Sequence, residues 1–453
     1  MRFASDIIIA PLTPAGHSAI AVLRISGKGC TELAAKYFRP ASKLLNSPSH
    51  RLIHGFVHDG QEQDIDEVLI SVFKAPHSYS GEESLEISCH GNPNLTNRIL
   101  KTFLQNCRLA EPGEFTLRAY LNGKLDLSQA EAVNDLIQAQ VSKAEHAALL
   151  QLKGMLSEHL QGILQQITQA RLRCELAIDF ADQDLPQIDL DALRNQINIT
   201  LDNAEELAAK SEQGRVIREG IKVCLAGAPN AGKSSLFNAL LQQNRAIVTP
   251  HPGTTRDYLE ESISLNGFPL VIYDTAGLRI SSDEIEIQGI EKSYELMQDA
   301  DLIIYLKEAR PEQTPSINLE ETTIAQELWH KTLLVVSKSD LLGSVYETAN
   351  DLIHCNTVTT KGLEQLTASI LSRLNLSDEL VNKPLITNSR HLAALEKAIA
   401  ALKQALQSLD DGLGYEFTAF ELGAASSALE EILGVITPDD LLERIFSNFC
   451  IGK

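Results

Sequence analysis

The chain has 453 residues, 60 acidic against 39 basic side chains, a formal net charge of −21 and 44% apolar residues. That length admits two to four domains with ample cores, and the acidic balance excludes a broad nucleic-acid-binding face while leaving room for a local basic site. No apolar run reaches the roughly 18 residues of a membrane helix, and the N-terminus lacks a signal-peptide pattern. The seven cysteines are scattered without CxxC or Cys/His clusters, so the expectation is a cytoplasmic protein with free thiols, no zinc site and no membrane segment.

Residues 1–120 read as a mixed α+β segment, with short strand-like runs at 7–10, 19–25, 68–73 and 84–88 separated by Pro, Gly and His. Residues 121–212 turn helical. Ser128 and Glu131 have the spacing of a capping box, and Val133, Leu136, Ile137 and Val141 then form one stripe. A polar break follows residue 180, and the helical pattern resumes from 190 to about 212. Residues 213–380 carry a nucleotide-binding pattern, and helices return over 381–453, at 389–409, 417–433 and 438–446. A nucleotide segment with helices at both ends is most simply an insertion into one helical domain.

Within that segment, an apolar strand at 221–226 enters a glycine-rich loop, 227–234, which leads into a helix. Asn230, Ala231, Gly232, Lys233, Ser234 and Ser235 are the phosphate-contacting candidates: backbone N–H groups cradle phosphate, Lys233 adds a point charge, and the Ser234 hydroxyl ligates Mg²⁺. Thr249, Pro250, His251, Pro252, Gly253, Thr254 and Thr255 form the next nucleotide loop, with Thr255 as a second hydroxyl for the metal. Asp274, Thr275, Ala276 and Gly277 end a second strand, where a carboxylate holds Mg²⁺ through water and Gly277 senses the γ-phosphate. Ser337, Lys338, Ser339 and Asp340 end a third, and Asp340 accepts from the N1–H and 2-amino groups of guanine. A looser base-contacting loop falls at 358–361. Four pieces in this order predict a GTP-binding module.

Two departures refine the reading. Ser337 stands where an Asn usually braces the base and ties the base loop to the phosphate loop, and its short hydroxyl replaces only part of that bonding. Leu278 stands where related GTPases place a Gln that orients the attacking water. Asn230 is placed to offer an oxygen to K⁺, the pattern of cation-dependent GTPases; Thr249, His251 and Thr254 are further K⁺ candidates. The competing reading of Asn230 is a residue that satisfies its own turn.

Outside the nucleotide module, five stretches carry a resemblance: Leu23-Arg-Ile-Ser-Gly27, Pro76-His-Ser-Tyr-Ser-Gly-Glu82, Glu111-Pro-Gly-Glu-Phe-Thr-Leu-Arg118, Leu121-Asn-Gly-Lys-Leu-Asp-Leu127 and Phe449-Cys-Ile-Gly-Lys453. With them the chain resembles the tRNA-modification GTPases of the MnmE (TrmE) family over essentially its whole length. His90-Gly-Asn92 departs from the family's usual His-Gly-Gly. The resemblance implies an N-terminal α+β domain similar to folate-binding domains, an all-α helical domain and an inserted Ras-like α/β P-loop G domain. It also implies a homodimer, partnership with the flavoprotein MnmG (GidA), and addition of an aminomethyl or carboxymethylaminomethyl group to C5 of the tRNA wobble uridine. A reduced folate, 5,10-methylene- or 5-formyl-tetrahydrofolate, supplies the one-carbon unit.

By motif, Arg24, Glu82, Lys124 and Lys453 fall at folate-contacting positions, Glu286 at the family's water-positioning acid, and Cys450 near the folate pocket as either nucleophile or packing residue. The rival reading is a GTP-dependent RNA or ribosome assembly switch without folate chemistry. Such proteins usually append a Lys/Arg-rich RNA-binding domain, and this chain shows none.

Overall fold

Alternating burial along two long strands marks a sheet with one covered face. The computed structural model describes residues 6–61, 63–179, 189–243, 260–274, 293–309, 322, 324–342 and 352–453. The chain divides into two compact units, one of Met1–Asn134, Leu152–Leu160 and Ser426–Lys453, the other of Asp135–Gln151 and Gln161–Ala425.

The first unit runs β1 (Ile8–Pro11), β2 (Ile20–Ser26), α1 (Cys30–Ala35), β3 (Phe38–Arg39), α2 (Ala41–Leu45), β4 (Arg51–His58), β5 (Asp64–Phe73), β6 (Ser84–His90), α3 (Pro93–Phe103), β7 (Arg108–Leu109), α4 (Glu114–Leu121) and the start of α5 (Leu127–Gln138). Its seven strands lie in the order β3-β4-β5-β6-β2-β1-β7, antiparallel except for β1 beside β7. On the covered face Leu23, Ile25, Ile53, Val57, Ile70, Val72, Leu85 and Ile87 pack with Ile99 and Phe103 of α3. Fully burying each such side chain contributes about 1.5–3 kcal/mol. The β2–β6 register sets Arg24 opposite Glu86.

Three local findings differ from the sequence reading. Strand β4 escapes the sequence pattern, because His and Gly interrupt its apolar run, yet Ile53, Gly55 and Val57 alternate inward. The α5 cap lies two residues earlier than Ser128. Asp126 Oδ1 accepts from Gln129 N (2.9 Å), and Gln129 Oε1 accepts in return from Asp126 N (3.0 Å). Aspartate accepts well at an N-cap, and Ser128 instead donates to Asp126 from within the first turn. Finally, Asn92 stands at φ −106° and caps α3 by accepting from Asn94 N, so the turn after Gly91 does not need a second glycine.

The second unit holds α6 (Ser142–Leu152, to Gln151), most of α7 (Met155–Asp179), α8 (Leu190–Ala209), α9 (Ser211–Glu219), β8 (Ile221–Gly227), α10 (Lys233–Gln243), β9 (Glu260–Leu265), β10 (Phe268–Asp274), β11 (Leu302–Glu308), β12 (Thr332–Ser337), β13 (Ile353–His354), α11 (Leu363–Arg373), α12 (Ser389–Asp410) and the start of α13 (Tyr415–Leu433). Its sheet order is β13-β12-β11-β8-β10-β9, parallel except for β9. Val223, Leu225, Leu236, Leu240, Ile272, Ile304 and Val335 are in its core. Helices α8 and α12 pack together, α12 burying Ala394, Ala398, Ala401 and Ala405 and α8 burying Leu193, Ile197, Leu201 and Leu207.

Hairpin β9–β10 turns at Asn266 and Gly267, both left-handed, as a two-residue primed turn requires. Its tip rests on α6, where Lys143 N donates to Gly267 O at 3.0 Å. Arg218 of α9 pairs with Asp135 at 2.9 Å, and Arg215 pairs with Asp301.

The last helix, α14 (Asp439–Phe446), belongs to the first unit. Leu442, Phe446 and Phe449 pack there on Leu117, Leu127 and Val133, and Tyr120 donates to Gly434 O. No described helix is long and apolar enough to cross a membrane.

The Asp126–Gln129 cap yields a stability prediction. Asp126→Ala is expected to destabilise the first unit by about 1 kcal/mol, read as a lower urea midpoint at unchanged slope.

Candidate functional sites

Strand order reverses at β8, whose neighbours β10 and β11 follow it on opposite sides. Open α/β sheets bind ligands in the crevice at the carboxyl ends of strands at such a switch point. At that end Gly227 has φ 135°, and a Cβ there would lie 2.3 Å from Leu306 O, so the loop passes β11 only as glycine. Asn230 and Gly232 are both left-handed, φ 63° and 92°, and curl the chain into α10. The helix therefore starts at the loop, and its first N–H groups favour an anion. Lys233 is buried there, with Nζ donating to Gly227 O at 2.8 Å and Ala228 O at 3.0 Å.

Asp274 ends β10 in register with Leu225 of β8. At the end of β12, Ser337 is 1% exposed and its Oγ donates to Ala231 O at 2.5 Å. The base-side loop is thereby tied to the phosphate-side loop. Lys338 is left-handed and its Nζ meets Glu308 at 2.5 Å, while Asp340 lies exposed in the turn Ser339–Leu342. The loop at 358–361 is shaped by Asn356, whose Oδ1 accepts from Val358 N and Thr359 N.

A second cluster lies in the first unit. Arg24 of β2 is 9% exposed, donates to Glu86 Oε1 at 2.7 and 3.1 Å, and lies 4.7 Å from the Tyr79 ring centroid and 5.5 Å from that of Phe115. Its buried Nη1 has no partner among the described residues. Lys453 is brought close by backbone bonds: Phe115 N donates to Lys453 O at 3.1 Å, and left-handed Gly452 passes where a Cβ would stand 2.3 Å from Pro11 O. Burial, then the charge of Arg24, pulls the Lys453 ammonium below the usual lysine range, against Glu86 and Cys450.

Glu82 accepts from Arg118 and Ser26, and Lys124 Nζ donates to Pro76 O at 3.2 Å, holding the loop that carries Glu82. Arg118 also bonds Glu114 and Asp6. Burial alone would push both carboxyls up, but Arg108 and Arg118 overcome it and hold them below the usual carboxylate range.

Comparisons with known proteins give the family of the chain. A family model for the GTP-binding protein TrmE N-terminus matches residues 7–124, and one for the MnmE helical domain matches residues 127–450. The tRNA modification GTPase MnmE of Aquifex aeolicus (strain VF5) is 39% identical over 453 residues, covering 98% of this chain and 99% of that protein. The chain belongs to the tRNA modification GTPase MnmE family. Another MnmE, from Moorella thermoacetica, is 39% identical over 465 residues, with 99% of each chain covered. The crystal structure of the G domain of the T. maritima FeoB iron transporter aligns at 29% identity and a TM-score of 0.24, covering 34% of this chain and 98% of that one.

Of the nucleotide residues that the sequence motifs predict, Asn230, Ala231 and Gly232 lie in the loop between β8 and α10, and Lys233, Ser234 and Ser235 begin α10. Ser337, Lys338, Ser339 and Asp340 fall at the end of β12. Thr249, Pro250, His251, Pro252, Gly253, Thr254, Thr255, Thr275, Ala276, Gly277, Leu278 and Glu286 lie outside the described residues, as does the side chain of Asp274. Arg24 and Lys453 come together, and Glu82 lies in the loop at 76–82, which Lys124 holds from outside through Pro76 O. Cys450 is exposed, and its carbonyl accepts from Lys453 N.

Sequence reading missed Glu86, Tyr79, Ser26 and Arg118. The signal for two of them was period-two spacing, since Arg24 and Ser26 share a strand face and Glu86 is the cross-strand partner of Arg24.

Removing the Ser337 hydroxyl is expected to weaken GTP binding roughly 3- to 10-fold in the Ser337→Ala variant, measured by titration with a fluorescent GTP analogue.

Proposed function

We propose that the chain binds and hydrolyses GTP, and that it couples this to tRNA modification using a reduced folate. Membership of the MnmE family supports the coarse activity, a GTP hydrolase of tRNA modification. The observation that carries the nucleotide half is the glycine loop at the β8 switch point, with buried Lys233 on its rim and Ser337 bonded across to Ala231. Lys233 draws the phosphate oxygens in, the α10 N-terminus stabilises their charge, and Asp340 selects guanine.

Mg²⁺ would be held by Ser234 at the first turn of α10, with Thr255 as the second hydroxyl and Asp274 through water as the sequence reading has them, and would neutralise charge on the β/γ oxygens. K⁺ would be held by Asn230, which stands in the loop ahead of α10 in a left-handed conformation, with Thr249, His251 and Thr254 as the further donors that the sequence offers. When bound it supplies the positive charge that an arginine finger gives elsewhere. Glu286 holds the attacking water by hydrogen bonds, the work that Leu278 is too apolar to do.

The folate half rests on the paired cations Arg24 and Lys453, the unpartnered Arg24 Nη1 and the Glu82 carboxylate. A folate offers carboxylates to the first two and ring N–H donors to the last, and when bound it supplies a one-carbon unit. The chain's own residues bind and orient it. Homodimerisation and partnership with the flavoprotein MnmG belong to the same proposal.

GTP turnover is expected to fall by at least tenfold when K⁺ is replaced by Na⁺ at equal ionic strength, an effect on the scale of a lost transition-state cation. Equal rates in the two salts overturn the K⁺ assignment. Glu286→Ala is expected to lower turnover by about 10²–10⁴ with nearly unchanged nucleotide affinity, because its contact belongs to the transition state. Arg24→Ala is expected to abolish binding of 5-formyltetrahydrofolate in isothermal titration, and parent-like binding by that variant removes Arg24 from the site.

A further inference from the structure

The carboxylate of Glu82 is held unevenly. Its Oε2 accepts from Ser26 Oγ at 3.0 Å and from Arg118 Nη1 at 3.1 Å, while Oε1 meets Arg118 Nη1 only at 3.3 Å. Neither donor is free to turn away. Arg118, 5% exposed, also donates to Asp6 O and Oδ1 at 3.0 Å each and to Glu114 Oε1 at 2.8 Å, so it is fixed from three sides. Ser26 is fully buried and bonded to Ser80 Oγ at 2.7 Å, and Ser80 Oγ in turn accepts from Glu82 N at 3.3 Å. Backbone amide, two hydroxyls and carboxylate thus close a ring around one oxygen of Glu82.

A carboxylate oxygen has two lone pairs, and two donors fill those of Oε2. Among the described residues Oε1 takes one long bond, from Arg118, and the side chain is partly open, so a lone pair of Oε1 remains to accept. We propose that Ser26 and Arg118 are positioning residues that hold Glu82 Oε2 and present Oε1 as the acceptor for a ring N–H of the bound folate. This rests on the folate reading above. It also makes Glu82→Gln a severe change despite its equal size. An amide has one oxygen, which Arg118 and Ser26 capture, so its NH₂ faces the ligand's N–H and two donors oppose each other.

The test is isothermal titration of the full chain with 5-formyltetrahydrofolate, with circular dichroism and the urea midpoint of each variant as the check that its first unit is folded. Ser26→Ala is expected to bind roughly 3- to 10-fold more weakly and Glu82→Gln roughly 10- to 150-fold. The double variant is expected to bind no more weakly than Glu82→Gln alone, because Ser26 acts through Glu82. A Ser26→Ala chain that binds like the parent, or whose loss adds in full to that of Glu82→Gln, overturns the positioning role and leaves the folate reading standing. A parent chain that does not bind the ligand overturns the folate reading and the positioning role with it. Arg118→Lys keeps the charge but cannot span Glu82, Asp6 and Glu114 together, and it is expected to weaken binding more than Ser26→Ala. Because Arg118 is deeply buried, the Ser26 and Glu82 variants decide the case if Arg118→Lys does not fold.

Discussion

A guanidinium out of reach of water must find all its partners inside the protein, and Arg118 does so with Asp6, Glu82 and Glu114. Breaking one partner of such a buried group typically costs several kcal/mol, since the remaining charge is left uncompensated. The constraint organises the whole end of the first unit. Asp6 lies just before β1, Glu82 in the loop before β6, and Glu114 and Arg118 on α4 itself. The same helix places Phe115 beneath Arg24 and gives its N–H to Lys453 O. One short helix therefore fixes a carboxylate, an arginine and a lysine that are remote in sequence.

The second unit obeys a different rule. The central strands of its sheet, β8, β10, β11 and β12, are covered on both faces and read as near-continuous apolar runs, while edge strand β9 alternates, and chemistry is pushed to the carboxyl ends. There the close approach of Gly227 to Leu306 and the bond from Ser337 to Ala231 bring two loops together. Ser337 is instructive. A serine in place of the usual asparagine looks like a loss when only the base is considered, yet its hydroxyl reaches the phosphate-side loop at 2.5 Å.

The nucleotide module was legible because its residues are contiguous and each has a local backbone reason. Left-handed Gly232, Lys233 at a helix start and strand-end Asp274 all announce themselves within a few positions. The later helices were legible for a similar reason: Ser389–Asp410 and Tyr415–Leu433 follow sustained helical periodicity. What stayed hidden depends on pairing across the chain. Glu86 acquires meaning only through its register with Arg24, and Arg118 only through partners at positions 6 and 82. Strand β4 was hidden because Gly55 and the histidines break its apolar count, although Gly55 is itself required by the close approach of Arg39 O. The α5 cap was misplaced because Ser128 and Asp126 both qualify, and only the reciprocal bond with Gln129 separates them.

The return of the chain to its first unit sets an order of assembly. Tyr120 and Gly434 are 314 positions apart, and Leu117 and Leu127 are covered by Leu442, Phe446 and Phe449. During synthesis the second unit's strands and their crossover helices are complete before those covering residues exist. The α4 surface must therefore wait, bare and apolar, while more than half the chain is made. Contacts of such long sequence separation form late, since loop closure is slow to be rewarded. The cluster around Arg24 is thus complete only when Lys453 arrives, after every residue of the nucleotide fold has been made.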